Sequence, residues 1–162
     1  ESNGQIVIGV IYNPSLDELF VAEKGKGAFL NSKPIKVSNI SDLKRSMLVT
    51  GFAYDVGHAE NNNLDHFENF IKSCQAVRRP GSAALDLCYT AMGRFEGFWE
   101  IKLHPWDMAA GKLLLEEAGG KLSLFDGSDF DIYKRQVLAT NGHVHDAMLD
   151  ILKKGKPAGV LT

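Results

Sequence analysis

Two carboxylates, Glu100 and Asp107, stand seven positions apart in the run Phe98-Trp-Glu-Ile-Lys-Leu-His-Pro-Trp-Asp-Met-Ala-Ala-Gly111. Asp107 falls in the first turn of an expected helix from Pro105 to Ala118. Pro105 suits the first helical position, where its missing N–H has no intrahelical partner, and Gly119-Gly120 supply a left-handed stop. A carboxylate there sits in the positive end of the helix dipole, stays ionised and is available to a cation or a hydrogen-bond donor. The plainer account is a dipole-compensating surface acid, since acidic residues are common in first turns. Glu100 ends the preceding strand, so the pair lies where an open α/β sheet binds its ligand.

A second helix start offers a second contact. Gly81 permits close approach, Ser82 is a good cap, and the backbone N–H groups of Ala83 and Ala84 are free to meet an oxygen-rich ligand. A serine-capped turn packed by alanines accounts for the same residues without any ligand. Lys102 and His104 lie in the connection to the Asp107 helix, where they either meet a phosphate or are exposed connector residues. His143 and His145 point in two directions at a helix start and are expected at the surface, not as a metal site. Asp126, Asp129 and Asp131 share a Gly-containing turn and read as solvated acids. Trp99 and Trp106 flank buried-looking segments and read as core, which leaves Glu100 and Asp107 without the aromatic platform of a glycosidase. Gly93-Arg-Phe-Glu-Gly97 precedes a strand, so the context of a nucleotide-phosphate loop fails.

Short strand candidates at Ile6 to Tyr12, Glu18 to Glu23 and Gly27 to Leu30 are separated by turn residues and read as an antiparallel meander. Beyond Ser41 strands and helices alternate: strands at Met47 to Thr50, Ala76 to Arg78, Phe95 to Trp99, Lys121 to Leu124 and Val137 to Thr140. The helices between and after them are Leu64 to Ser73, Ala83 to Met92, Pro105 to Ala118 and about His143 to Lys153. This alternation argues for an α/β fold with a mostly parallel sheet. The polar, Asn-rich stretch from Gly51 to Asn63 reads as a mobile loop.

The chain has 162 residues, 44% of them hydrophobic, with 18 basic and 20 acidic residues and a net charge of −2. Basic residues come in scattered pairs, so no nucleic-acid partner is implied. No apolar run reaches the roughly 18 residues of a membrane span. The two cysteines, Cys74 and Cys88, lack metal-type spacing and fall in helical stretches, which points to the cytoplasm.

The runs Arg79-Pro-Gly-Ser-Ala-Ala84, Gly93-Arg-Phe-Glu-Gly-Phe-Trp-Glu100, Trp106-Asp-Met-Ala-Ala-Gly111, Glu117-Ala-Gly-Gly120 and Val137-Leu-Ala-Thr-Asn141 carry a resemblance. In order and spacing they resemble the inositol monophosphatase family of Mg²⁺-dependent, lithium-sensitive sugar-phosphate phosphatases over nearly the whole chain. The resemblance implies a layered αβαβα sandwich and phosphate monoester hydrolysis by metal-activated water. It implies Asp107 as a Mg²⁺ ligand that also meets substrate, Glu100 and the Gly81-Ser82-Ala83 turn as substrate-binding residues, and a homodimer. Inositol monophosphate, fructose bisphosphate and phosphoadenosine substrates share that scaffold.

The family's other signature, Asp-Pro-x-Asp-Gly-Thr, which with an earlier glutamate supplies most metal ligands, occurs nowhere in the chain. The resemblance is therefore to the carboxy-terminal portion of a longer enzyme. Residues 1–41 read as the end of an antiparallel sheet belonging to a missing amino-terminal domain, and 42–162 as the carboxy-terminal α/β domain. The isolated chain is expected to be inactive; the alternative is a non-catalytic sugar-phosphate-binding or assembly module on the same scaffold. A meander separated from its own sheet leaves an unpaired edge and an apolar face at Ile6, Ile8, Val10 and Tyr12. The purified chain is accordingly expected to self-associate, and light scattering showing a clean dilute monomer would contradict this.

Overall fold

A computed structural model of the chain describes residues 1–155. The turn chemistry at the amino-terminal end closes a four-stranded antiparallel meander of β1 (Ile8–Asn13), β2 (Glu18–Glu23), β3 (Gly27–Leu30) and β4 (Lys33–Ile35). Period-two alternation gives it two unlike faces. Phe20, Ala22 and Ala28 are buried on the inner face, while Ile8, Val10, Tyr12 and Leu19 are exposed on the outer. Ile6 departs from the expected outer set. It precedes the first paired residue, so strand parity does not govern it, and it packs against the core.

The second sheet has the order β6-β5-β7-β9-β8. Its strands are β5 (Met47–Thr50), β6 (Ala76–Arg78), β7 (Gly97–Ile101), β8 (Lys121–Ser123) and β9 (Gln136–Thr140). It is mixed, with one of the five strands reversed: β5 runs parallel to β6 and β7, whereas β9 is antiparallel to β7 and β8, so β8 runs with the first three. The cause is the link from β8 to β9, which carries only a 3₁₀ turn at Ile132–Lys134 and no crossover helix. Without a crossover the chain reverses beside its predecessor.

Four helices complete the layers: α1 (Leu64–Ile71), α2 (Ala83–Ala91), α3 (Pro105–Glu117) and α4 (His145–Leu152). Helices α2 and α3 lie between the two sheets, and α1 and α4 pack together on the far face of the mixed sheet. The described residues thus build sheet, helix pair, sheet, helix pair, matching four layers of the αβαβα arrangement. One apolar cluster joins Phe20 and Ala28 of the meander to Leu87 and Leu114 of the inner helices and Phe98 of β7. The other gathers Phe70, Trp99, Leu138 and Met148 under the outer helices.

Two polar devices fix the meander onto the helices. Buried Glu18 accepts from Tyr89 Oη at 2.9 Å and from Arg94 at 2.7 Å, and Asn13 Nδ2 donates to Tyr89 Oη at 3.1 Å. At the far end of α3, Glu117 accepts from the backbone N–H groups of Gly25 and Gly27 in the β2–β3 turn. Gly9 is required by contact: a Cβ there would stand 2.7 Å from the Ala110 carbonyl oxygen of α3.

His145 overturns the surface expectation. Helix α4 begins at this residue, which is 1% exposed, while His143 stays outside in solvent. Nδ1 of His145 lies 2.9 Å from Thr140 Oγ1, and Nε2 lies 3.1 Å from Ser123 Oγ. Ser123 Oγ donates onward to the Leu124 carbonyl, so it accepts from Nε2–H, and bare Nδ1 accepts from Thr140. The ring is therefore neutral. Burial first, then the nearby Lys121 cation, lowers its pKa to about 4, with Asp146 opposing.

Because the unfolded imidazole takes its proton near pH 6.5 and the folded one only near 4, the unfolded state binds more protons between those values. Stability is complete above pH 6.5 and falls by up to about 3 kcal/mol as the pH drops through 4. Denaturant titrations across this range are expected to show a flatter acid limb for His145→Gln than for the parent. An unchanged slope would refute the assignment.

Candidate functional site

The strands β5 and β7 are parallel neighbours, yet β5 leads to α1 on the outer face and β7 leads to α3 on the inner. Connections that diverge in this way leave a crevice outside the carboxyl ends of the strands. A cavity of about 590 Å³ occupies it, and Gly81, Ser82, Ala83, Glu100 and Asp107 all line it. The structure therefore brings together every residue that the sequence marked for substrate or metal.

Each is placed by a local cause. Gly81 takes φ +99°, a conformation that only glycine adopts without strain, and turns the chain from β6 into α2. Ser82 then caps α2, its Oγ accepting from Leu85 N at 3.4 Å. Asp107 Oδ2 accepts from His104 N at 2.8 Å at the start of α3, which holds the carboxylate over the helix terminus. Both inner helices thus direct their positive ends at the cavity.

Glu100 is buried at the end of β7. Burial first, then the charge of Asp107, raises its pKa to about 7, with Arg79 opposing. Gly51, directly after β5, lies flat against this carboxyl group, and a Cβ there would overlap both of its oxygens. Asp86, in the first turn of α2, is 1% exposed, and neither of its oxygens has a hydrogen-bond partner among the described residues. Burial, then Glu100, raises its pKa to about 8.

The flanking residues correct several expectations. Lys102 is not an exposed connector: its backbone takes φ +63°, and its side chain is 15% exposed and donates to Asp55 Oδ2 at 2.6 Å across the cavity mouth. Its ammonium holds the Asp55 carboxyl below the usual range. Trp106 is 75% exposed, since the second position of α3 faces neither sheet, and it stacks on His104. Trp99 is in the core as expected, with Nε1 donating to Asn63. Asn63 also donates to Thr50 and Gly51, so the Asn-rich loop is pinned at its end. Asp126 and Asp131 accept hydrogen bonds within their own turns and line no part of this cavity.

Asp55, Asp86 and Arg135 also belong to this region and were not marked by the sequence. For Asp86 a signal existed, an acid between Leu85, Leu87 and Cys88 in a helix apolar nearly all round. For Asp55 and Arg135 none did, because both arrive from loops. Among the described residues, no group of three or more His, Cys, Asp or Glu side chains could hold a metal ion.

Residues 1–155 match the model of the inositol monophosphatase family. The chain belongs to the inositol monophosphatase family. It is 47% identical over 145 residues to the inositol-1-monophosphatase of Synechocystis sp., a match covering 90% of this chain and 50% of that protein. It is 43% identical over 155 residues to the inositol-1-monophosphatase of Mesorhizobium japonicum, covering 95% of this chain and 58% of the relative. The solved inositol monophosphatase of Anabaena (Nostoc) sp. superposes with a TM-score of 0.92 at 48% identity, covering 96% of this chain and 62% of that one. The chain thus spans about half the length of the curated relatives it matches.

In this member of the family Asp86 has a testable electrostatic consequence. Its folded pKa, about 8, lies above its ordinary value of 3.8, so the folded state binds more protons between the two. The associated stability is present below pH 4 and is lost as the pH rises through 8. Asp86→Asn, which cannot ionise, is expected to gain on the parent progressively from pH 5 to pH 8.5 in denaturant titrations. A constant difference across that range would show that Asp86 ionises normally.

Proposed function

We propose that the chain is the carboxy-terminal portion of a Mg²⁺-dependent phosphomonoesterase that hydrolyses inositol monophosphate or a related sugar phosphate. The observation that carries this reading is Glu100 and Asp107 lining one cavity at two helix starts, in a chain of the inositol monophosphatase family. In this reading residues 1–41 end a sheet shared with an amino-terminal domain, and the remainder forms the substrate-binding domain.

Glu100 accepts a ring hydroxyl of the sugar, and the Ala83 backbone N–H at the start of α2 donates to a second. Small residues at 81–84 leave room for the ring. The positive ends of α2 and α3 favour the phosphate in the cavity. Asp107, its Oδ2 already taken by His104 N, offers its other oxygen to a metal.

Magnesium would supply Lewis acidity and a water of lowered pKa. It requires near-octahedral oxygen coordination, and Asp107 provides a single carboxylate. The described residues therefore fit one corner of a metal site and not the whole of it. In this reading the other ligands come from the part of the relatives' length that this chain does not span.

We further propose a homodimer, as the family resemblance implies, and a cytoplasmic setting, which the free thiols Cys74 and Cys88 support. Among the described residues no helix is long and apolar enough to cross a membrane.

Fusing the chain behind the amino-terminal half of the Synechocystis relative tests the reading. The fusion is expected to hydrolyse inositol 1-phosphate with Mg²⁺ and to stop with chelator. Asp107→Asn should lower kcat/KM at least about a hundredfold, more than loss of an outer-shell partner costs. The chain alone should show no turnover. Activity of the chain alone would place a complete metal site within it, and an inert fusion that still binds inositol would favour the binding-module alternative.

A further inference from the structure

Asp86 takes no part in that reading, yet its setting is unusual. Acidic side chains are almost never fully buried unless paired, and buried polar atoms nearly always have a partner. Asp86 is 1% exposed with both oxygens unpartnered among the described residues. It lines a second cavity of about 100 Å³ together with Gly51, Arg79, Ser82 and Glu100. Glu100 and Ser82 are shared with the large cavity, so the small one is its inner annex. At ~30 Å³ per water, the annex takes roughly three waters, or the hydroxyl-bearing edge of a ring whose body fills the larger space.

We propose that Asp86 is a specificity-determining residue: in the annex its carboxyl group binds a ring hydroxyl of the polyol, next to the hydroxyl taken by Glu100. The proposal rests on the sugar-phosphate reading for the nature of the ligand. A hydroxyl both donates and accepts, and so does a carboxyl group that keeps its proton. Two acids facing one annex therefore satisfy neighbouring hydroxyls, and an analogue lacking one leaves a buried polar group unpaired. A cation fits less well, because the Arg79 guanidinium lies at the rim, its charge acting on Glu100.

The test is a titration of the 162-residue chain with myo-inositol in metal-free buffer, following the carbon-13 carboxyl resonances of Asp86 and Glu100. Both resonances are expected to move together and saturably. Asp86→Leu should weaken binding about tenfold or more, whereas Asp86→Asn, which keeps a donor and an acceptor, should stay within about threefold. The unfolding midpoint of Asp86→Leu should equal or exceed that of the parent, because an unpartnered buried acid is removed. Asp86→Leu binding like the parent would overturn the proposal. So would a stationary Asp86 resonance while Glu100 moves, no saturation up to the solubility limit, or lost binding with a lowered midpoint and a shifted Glu100 resonance before ligand is added. No phosphate, metal or turnover enters this experiment, so its failure leaves the ester assay standing, and an inert fusion leaves saturable binding at Asp86 standing.

Discussion

A carboxyl group whose burial raises its pKa is the constraint on which the site depends. Glu100 reaches that state through strand parity. In β7, Trp99 and Ile101 point into the outer cluster, Phe98 points into the inner one, and Glu100 follows Phe98 onto the inner side, where the sheet ends. Every residue of β7 is buried, so the strand cannot slip to bring the carboxyl group to solvent. The response is local. Gly51 omits a side chain where the carboxyl lies, two helices begin nearby, and Arg79 remains close enough to act on Glu100 without an ion pair.

The meander, remote in sequence, sets the height of the second carboxylate. Helix α3 rests on β1 through the close approach of Ala110 to Gly9, one turn beyond Asp107. Glu117, near the other end of the helix, is tied to the β2–β3 turn. With both points fixed, α3 has little freedom to slide, and Asp107 stays across the cavity from α2. The Glu18, Tyr89 and Arg94 network holds α2 against the same sheet. The meander therefore positions the site without contributing a residue to it.

Much of this was legible because it is written in local chemistry. Pro105 and Gly119 bracket α3, Ser82 marks the start of α2, and alternation marks β1 to β3. What local chemistry does not encode was missed. β4 carries Pro34 in a three-residue edge strand, where proline argues against pairing. The reversed direction of β9 follows from the helix-free link before it, a tertiary outcome. His145 looked like a surface residue because its partners, Thr140 and Ser123, meet it only after β8 and β9 pair. Trp106 looked like core because its size outweighed its helical position. Family resemblance supplied the proposed roles of Ala83 and Glu100, which spacing alone left open between ligand contact and packing.

Burial perturbs His145 and Asp86 in opposite senses of stability against pH, since one loses a cation and the other an anion. The difference between them is in how the neutral form is used. Neutral His145 has both ring nitrogens paired with hydroxyls, so its burial closes a hydrogen-bond chain and belongs to the fold. Neither Asp86 oxygen has a partner among the described residues, and Glu100 faces the open cavity. A fold could remove that cost by one substitution to leucine or glutamine, and apolar replacements of buried charges are often stabilising. Retaining the two acids makes sense where dry, fixed polar groups act more strongly on a bound molecule than the same groups would in water. The two acids are thus better explained by what enters the cavity than by anything the fold gains from them.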